Sequence, residues 1–390
     1  VSSAPGVVIV GGGTAGTTAA TALRANGFAG PVTLIGAEAA APYRRTALTK
    51  DLLAADLSPE RIGLQKPQAW ADKGINLITG VAVTGIDAER RVVICDGDRE
   101  IGYAALILAT GGVSSRPGWL GADVPTLRTL PEALTARALI QDAGRLTIVG
   151  GGLIGLELAA SCAAHGVSVD VVDAAARLLP RVVPECVSDW LADLHRANGV
   201  RIRLGADVMA ADAHGVTLTG GARLDGPVVA AVGMSPDVRL AAAAGLRTVP
   251  EGIVVDGALR TAVSGVYAAG DAAAPPDPLT DRPALGGHWF GATEQGRAAA
   301  LAVLADLDGV PAQTLCDVPR AWTIQYGVNV QIVGWPAVGG DVAVDGSLAD
   351  ADATVRVLAG GELVGAVTVG RPAEARACRA EIGERLGSTV

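Results

Sequence analysis

The spacing G-x-G-x-x-G occurs twice in this chain, each time between an apolar run and a run suited to a helix, and no other feature constrains the fold as strongly. In the first copy, Val7 to Val10 lead into Gly11, Gly13 and Gly16, with Thr14 and Ala15 in between. In the second, residues 146–149 lead into Gly150, Gly152 and Gly155, with Leu153 and Ile154 in between. The four branched apolar residues of the first copy, and the largely apolar run of the second, suit buried parallel strands. The alanine-rich run to about residue 26, ended by Gly27, and the run 156–164 suit helices. The first glycine permits the tight turn, the second lets the backbone approach a pyrophosphate, and the third lets helix and strand pack closely. A lone copy is as often a structural turn as a nucleotide cradle. Two copies imply two bound nucleotides.

Each copy is followed by a second strand and an acid. Residues 32–35 precede Glu38, and 167–172 precede Asp173. A carboxylate about 20 positions beyond the glycines accepts hydrogen bonds from ribose hydroxyls and repels a ribose phosphate. Residues 174–176 supply no cation for such a phosphate, so NADH is expected over NADPH. Further along, 228–232 run into Gly233, a turn that lets the flat end of a nucleotide approach the backbone. Residues 266–268 end in Ala269-Gly270-Asp271, placing an acceptor-only carboxylate where the sugar-chain hydroxyls of a flavin could donate; a plain turn aspartate is the alternative.

Between these landmarks the spacing predicts a loop over 42–50, a helix over 51–55, and short, antiparallel strands at 75–78, 81–86 and 92–94. A continuous apolar strand at 105–109 ends in Thr110-Gly111, and helices are expected at 130–143 and 291–307. His288-Trp289-Phe290, before the last of these, reads first as a core cluster. Beyond about 318 come strands at 329–333, 341–344, 354–358 and 363–368, then a helix at 372–386. The expected fold is α/β, with two Rossmann-like dinucleotide-binding domains and a small C-terminal α+β domain. The first domain takes 1–112 and 246–317, the second 113–245, the third 318–390.

Composition narrows the chemistry. A net charge of −9 gives nucleic-acid binding no support. Cys95, Cys162, Cys186, Cys316 and Cys378 form no close pair, which argues against a disulfide reductase. His165, His195, His214 and His288 have no metal-ligand spacing, so no metal is expected. No apolar run is long enough to span a bilayer, and residues 1–6 lack the zones of a signal peptide, so a cytoplasmic location is expected.

The glycine cradles, the 45–50 loop, Ala109-Thr110-Gly111, the run from Gly150 to Glu157, Ala269-Gly270-Asp271 and the segment 322–334 together resemble FAD-dependent NADH:ferredoxin reductases of bacterial oxygenase systems, the putidaredoxin reductase and biphenyl dioxygenase reductase type. The resemblance covers nearly the whole chain. It implies noncovalent FAD on the first cradle, NADH on the inserted domain, and a C-terminal domain that covers the flavin and helps receive a small [2Fe-2S] ferredoxin. Lys50 matches a lysine beside flavin N5 and Glu157 a glutamate beside the nicotinamide, and the two are expected to pair. Arg45, Val83, Arg128, Asp271 and Trp289 match FAD contacts; Arg181 and Gly233 match NADH contacts. A planar indole also stacks well on a planar ring.

The chain departs from the family at several points. Thr46-Ala47 stand where the flavin loop usually has two prolines, Ala37 where a carboxylate often binds ribose, Gly287 where a glutamate is common, and Thr323-Ile324 where Ser-Asp is usual. The implied activity is hydride transfer from NADH to FAD, then single electrons to ferredoxin, in a monomer or homodimer. Arg44, Arg45, Lys50, Arg61 and Lys66 are the densest cations near the flavin loop, with Trp322 expected on the docking rim. An NADH oxidase or peroxide reductase of the same fold would need a redox cysteine, and none lies near 46–50. A flavoprotein redox sensor is the remaining alternative.

Overall fold

The computed structural model describes residues 6–50, 52–141, 143–284 and 286–387. They group into two compact units, each threaded by the chain more than once. One takes the described residues of Val1–Arg44, Ser58–Val113 and Ser235–Asp317, and the other those of Arg45–Leu57, Ser114–Met234 and Val318–Val390.

The first unit is built on a mixed sheet. Gly6–Val10 lies at its centre, buried along its whole length, between Val32–Gly36 and Arg99–Leu108, parallel to both. Val266–Ala268 extends the parallel part from the far side of Arg99–Leu108. The other half of that long strand pairs antiparallel with Val92–Cys95, which pairs in turn with Val83–Asp87. Parallel strands buried on both faces read as continuous apolar runs, which is why these segments are legible in the sequence.

Two helices cover this sheet, Thr14–Ala25 and Trp289–Asp308. Their close approach depends on Gly296, where an added Cβ would stand 2.3 Å from the carbonyl oxygen of Ala15.

The second unit has a parallel sheet in the order Arg201–Arg203, Ser168–Val172, Arg145–Val149, Val228–Ala230. It also has a five-stranded antiparallel sheet in the order Arg320–Gln325, Val328–Gly334, Glu362–Val369, Asp352–Ala359, Asp341–Ser347. The two share one apolar core: Leu156, Val187 and Leu191 from the helical layer meet Ala321, Val330 and Val367 from the antiparallel sheet. Helix Pro372–Arg385 closes the other side with Cys378 and Ile382.

Several expectations need correction. Ile75–Thr79 is parallel, not antiparallel: it pairs with Val32–Gly36 in the register Val32↔Ile75, because the connection, with short helices Pro59–Ile62 and Pro67–Asp72, is long enough to cross over. The helix expected at 51–55 is a turn over 52–54, with Asp51 outside the described residues; the helical turn comes earlier, at Arg45–Leu48. Of the stretch 1–6 weighed as a leader, residues 1–5 also lie outside them, as does Asp142 beyond helix Leu130–Gln141. Strand Arg320–Gln325 and helix Glu185–Ala197 have no counterpart in the sequence reading. Thr323 and Gln325 fill the buried face of that strand and hide its apolar alternation. Among the described residues no helix is long and apolar enough to cross a membrane.

The contact at Gly296 leads to a test. Gly296→Ala should lower stability by about 1–3 kcal/mol through overpacking, read as a lower urea midpoint. Gly291→Ala, at a helical position with open space beside it, should not lower it. Equal midpoints for both variants and the parent would contradict the close-packing account.

Candidate active site

In the first unit, Gly11 has φ 118° and an added Cβ would meet the Ala109 carbonyl oxygen at 2.0 Å, so neither the turn nor its neighbour tolerates a side chain. Gly16 is as tightly held, against the Gly11 carbonyl oxygen. Gly13 differs: nothing lies within 4 Å of its missing Cβ. Gly13 is also the N-cap of helix Thr14–Ala25 and provides no side-chain cap, so the first-turn N–H groups have no side-chain acceptor there. The second cradle repeats this in the second unit. Gly150, at φ 111°, faces the Ala231 carbonyl oxygen at 2.3 Å, Gly155 faces that of Gly150 at 2.0 Å, and Gly152 is an open N-cap of helix Leu153–Ala164. Open backbone at an uncapped helix start is what an anionic pyrophosphate requires, and both cradles fit one.

The first unit adds carboxylates and an aromatic. Glu38 lies just past Val32–Gly36, half-buried, and accepts a 2.5 Å hydrogen bond from the Tyr43 hydroxyl. Ala37 beside it is exposed. Gly270, at φ 78°, turns the chain after Val266–Ala268 and sets Asp271 at the strand's C-terminal end. The Gly270 N–H donates to Gln295 Oε1 at 2.8 Å. Gln295 is buried on helix Trp289–Asp308 and was not singled out by sequence reasoning; its one signal there was a polar residue beside Gly296 on a buried helical face. Trp289 opens the same helix, its ring edge-on to Phe290 at 5.3 Å. Thr110 Oγ1 donates to the Asp237 carbonyl oxygen at 2.7 Å, and the Asp237 N–H to the Gly111 carbonyl at 2.8 Å, fixing the turn after Arg99–Leu108. Val83 begins strand Val83–Asp87 and is half-buried.

In the second unit, Asp173 faces its cradle. Oδ2 accepts from the Gly151 N–H at 2.6 Å and Oδ1 from the Ala175 N–H at 2.7 Å. Two backbone donors fix the carboxylate and leave lone pairs for hydroxyl donors. Arg177, the arginine next in sequence, is engaged elsewhere, donating to the Val183 carbonyl at 2.9 Å, to Ser188 Oγ at 2.8 Å and to the Pro180 carbonyl at 2.9 Å. Ile154 is exposed at the start of its helix beside Leu153, and Arg181 is exposed. Gly233 has φ 99°, and its carbonyl accepts from the Ser115 N–H at 2.9 Å.

The same unit gathers a charged cluster. Glu157 is buried in helix Leu153–Ala164 and accepts from Lys50 Nζ and Thr323 Oγ1 on one oxygen and from Thr49 Oγ1 on the other, the two threonine bonds at 2.8 and 2.6 Å. Lys50 also stands over the Trp322 ring, 5.1 Å from its centroid. A buried carboxylate is tolerated only when paired and hydrogen-bonded, and this one has a cation and two hydroxyls. Arg45 donates to the Arg128 carbonyl at 2.5 Å, so two residues matched to FAD contacts stand side by side. Sequence reasoning named Lys50 and Glu157 but missed Thr49 and Thr323 as partners; only the buried charge demands them.

The residues matched to FAD thus divide: Arg45, Lys50 and Arg128 belong to the second unit, the others to the first. Of the cations proposed for docking, Arg44, Arg61 and Lys66 are exposed, while Arg45 and Lys50 are turned to internal partners. No disulfide joins the cysteines among the described residues. Burial raises the Cys95, Cys186 and Cys378 thiols and pushes Cys162 up to about 12, far from a reactive thiolate. No group of three metal-ligating side chains gathers among the described residues.

The family model described as pyridine nucleotide-disulphide oxidoreductase matches residues 5–296, and that described as reductase C-terminal matches 320–388. The chain belongs to the pyridine nucleotide-disulphide oxidoreductase family. It is an FAD- and NAD(H)-dependent oxidoreductase. It is 36% identical to putidaredoxin reductase of Pseudomonas putida, over 97% of this chain and 92% of that one. It is 37% identical to the ferredoxin–NAD(+) reductase component of the anthranilate 1,2-dioxygenase system of Burkholderia cepacia, over 94% and 91%. Among solved structures, the covalent putidaredoxin reductase–putidaredoxin complex superposes with a TM-score of 0.91 at 34% identity, over 98% of this chain and 94% of that one.

For this oxidoreductase, Asp173→Ala should narrow the preference for NADH over NADPH roughly tenfold to a hundredfold, the worth of one or two charge-assisted hydrogen bonds. Comparing kcat/KM for the two cofactors tests this. A parent that prefers NADPH, or a variant with an unchanged ratio, would remove Asp173 from ribose recognition.

Proposed function

We propose that this chain oxidises NADH and reduces a small [2Fe-2S] ferredoxin that feeds an oxygenase. The observation that carries the reading is the Lys50–Glu157 pair, held by Thr49, Thr323 and Trp322 with no cysteine among its partners. A family member that worked on disulfides or peroxides would present a redox cysteine, and here four of the five thiols are raised by burial. The oxidase and sensor alternatives are not favoured.

When bound, FAD converts the two-electron chemistry of a nicotinamide into the one-electron chemistry of an iron–sulfur cluster. Gly11, Gly13 and Gly16, with Thr14 and Ala15, would hold its pyrophosphate. Glu38 and Asp271 would accept from its hydroxyls, and Val83, Ala109, Thr110, Gly111, Gly270 and Trp289 would line its path, with Arg45 and Arg128 as its cations. Gly150, Gly152, Gly155, Leu153, Ile154, Asp173, Arg181 and Gly233 would do the same for NADH. Glu157, on the helix that starts at the second cradle, would meet the nicotinamide. Lys50, steered by Glu157, would offset negative charge that develops on the flavin. Functionally, 1–112 with 246–317 would form the FAD domain, 113–245 the NADH domain and 318–390 the domain that meets ferredoxin. A cytoplasmic location suits a donor regenerated by central metabolism.

Docking of an acidic ferredoxin requires local positive charge, because the chain is itself acidic. Arg44 and Arg61 are adjacent, the Arg44 guanidinium donating to the Arg61 carbonyl at 2.7 Å, and Lys66 is exposed on the same segment. Steady-state transfer from NADH to a panel of small [2Fe-2S] ferredoxins should therefore slow as salt is raised, and Arg61→Glu with Lys66→Glu should lower the rate at low salt and flatten that dependence. An unchanged rate and salt response in the double variant would exclude this surface. Failure of every ferredoxin in the panel, with fast ferricyanide reduction, would overturn the acceptor assignment.

A further inference from the structure

Along strand Arg320–Gln325 alternate residues face opposite sides, and Ala321, Thr323 and Gln325 are the buried set. Two of these three are polar, so each must find partners. Gln325 Nε2 donates to Thr323 Oγ1 at 3.2 Å, and Gln325 Oε1 lies 2.7 Å from His195 Nε2. Tyr326, in the two-residue turn between Gln325 and Val328, has φ 50° and brings its hydroxyl to 2.9 Å from His195 Nδ1. His195 lies on helix Glu185–Ala197 and is fully buried.

The direction of each bond follows from one end. Glu157 only accepts, so the single proton of the Thr323 hydroxyl goes to it. Gln325 must then donate to Thr323, which turns its carbonyl oxygen toward His195. That oxygen only accepts, so His195 carries its proton on Nε2, and Nδ1 accepts from Tyr326. Burial pushes the His195 imidazole down to about 4, so it is neutral at pH 7. Tyr326, His195, Gln325 and Thr323 thus form one series of donors that all point toward Glu157. Bonds aligned in this way polarise one another and stiffen the group at the end.

We infer that His195 is a positioning residue for Glu157, acting through Gln325 and Thr323, with Gln325 selecting the Nε2–H tautomer and Tyr326 donating to the ring nitrogen left bare. The inference rests on the proposed role of Glu157 at the nicotinamide. It assigns a function to four side chains for which core packing alone would favour apolar residues.

The test uses the FAD-loaded protein, with two readouts. Nitrogen-15 NMR of labelled histidines, with the His195 signal identified by its loss in His195→Asn, should show the Nε2–H form in the parent and the same form in Tyr326→Phe, because Gln325 still requires it. In stopped-flow reduction by NADH, Thr323→Val should be slower at saturation by about three- to tenfold, the worth of one hydrogen bond, and Thr323→Ser should restore most of the rate. An Nδ1–H form in the parent would overturn the proposed direction. Parental reduction in Thr323→Val alongside slow reduction in Glu157→Gln would overturn the positioning role while leaving Glu157 its own. Parental reduction in Glu157→Gln would remove the role of Glu157 and the inference with it.

Discussion

A carboxylate buried in a helix cannot stand alone, and the partners that Glu157 requires tie together three separate parts of the second unit. Lys50 and Thr49 come from the segment 45–57, Glu157 from the helix after the second cradle, and Thr323 from the first strand of the antiparallel sheet. Removing one partner from a buried pair typically costs about 3–5 kcal/mol, more than most single apolar contacts contribute. The sheet that carries Thr323 also shares an apolar core with the helical layer through Leu156, Ala321 and Val330. The charge and the core therefore fix the same helix against the same strand. The C-terminal segment, separate in the sequence, is part of one compact unit for this reason.

The two cradles solve one problem twice. In each, a first glycine with φ above 110° lies against a carbonyl oxygen of the neighbouring strand's end, a third glycine packs on the first, and the middle glycine leaves the helix start open. What differs is the acid. Asp173 is fixed by two backbone N–H groups, whereas Glu38 is held by the Tyr43 hydroxyl.

Much of this was legible in the sequence, for reasons particular to each element. The run 7–10 reads as unbroken and apolar because both faces of a parallel sheet are buried, the strand at 145–149 is interrupted only by Arg145 at its exposed end and the buried Thr147, and the first and third glycines of each cradle mark positions where any side chain would collide. Strand Arg320–Gln325 was not legible because its inward face carries a network instead of an apolar surface. Thr49, Gln295 and His195 were invisible for a related reason: each serves a distant group, Glu157, the Gly270 backbone or Gln325, and the local pattern does not record such pairings. The parallel placement of Ile75–Thr79 depended on where the chain crossed over, which periodicity cannot encode.

Lys50 and Glu157, paired in the structure, are proposed to act as one unit in reduction of the flavin. The direct measurement is a double-mutant cycle on the stopped-flow rate of FAD reduction by NADH, using Lys50→Met, Glu157→Gln and the pair together. Each single variant should slow reduction at least tenfold, and the double should be little slower than the worse single, because a broken pair cannot be broken again. Single variants that reduce at the parental rate, or losses that simply multiply in the double variant, would contradict it.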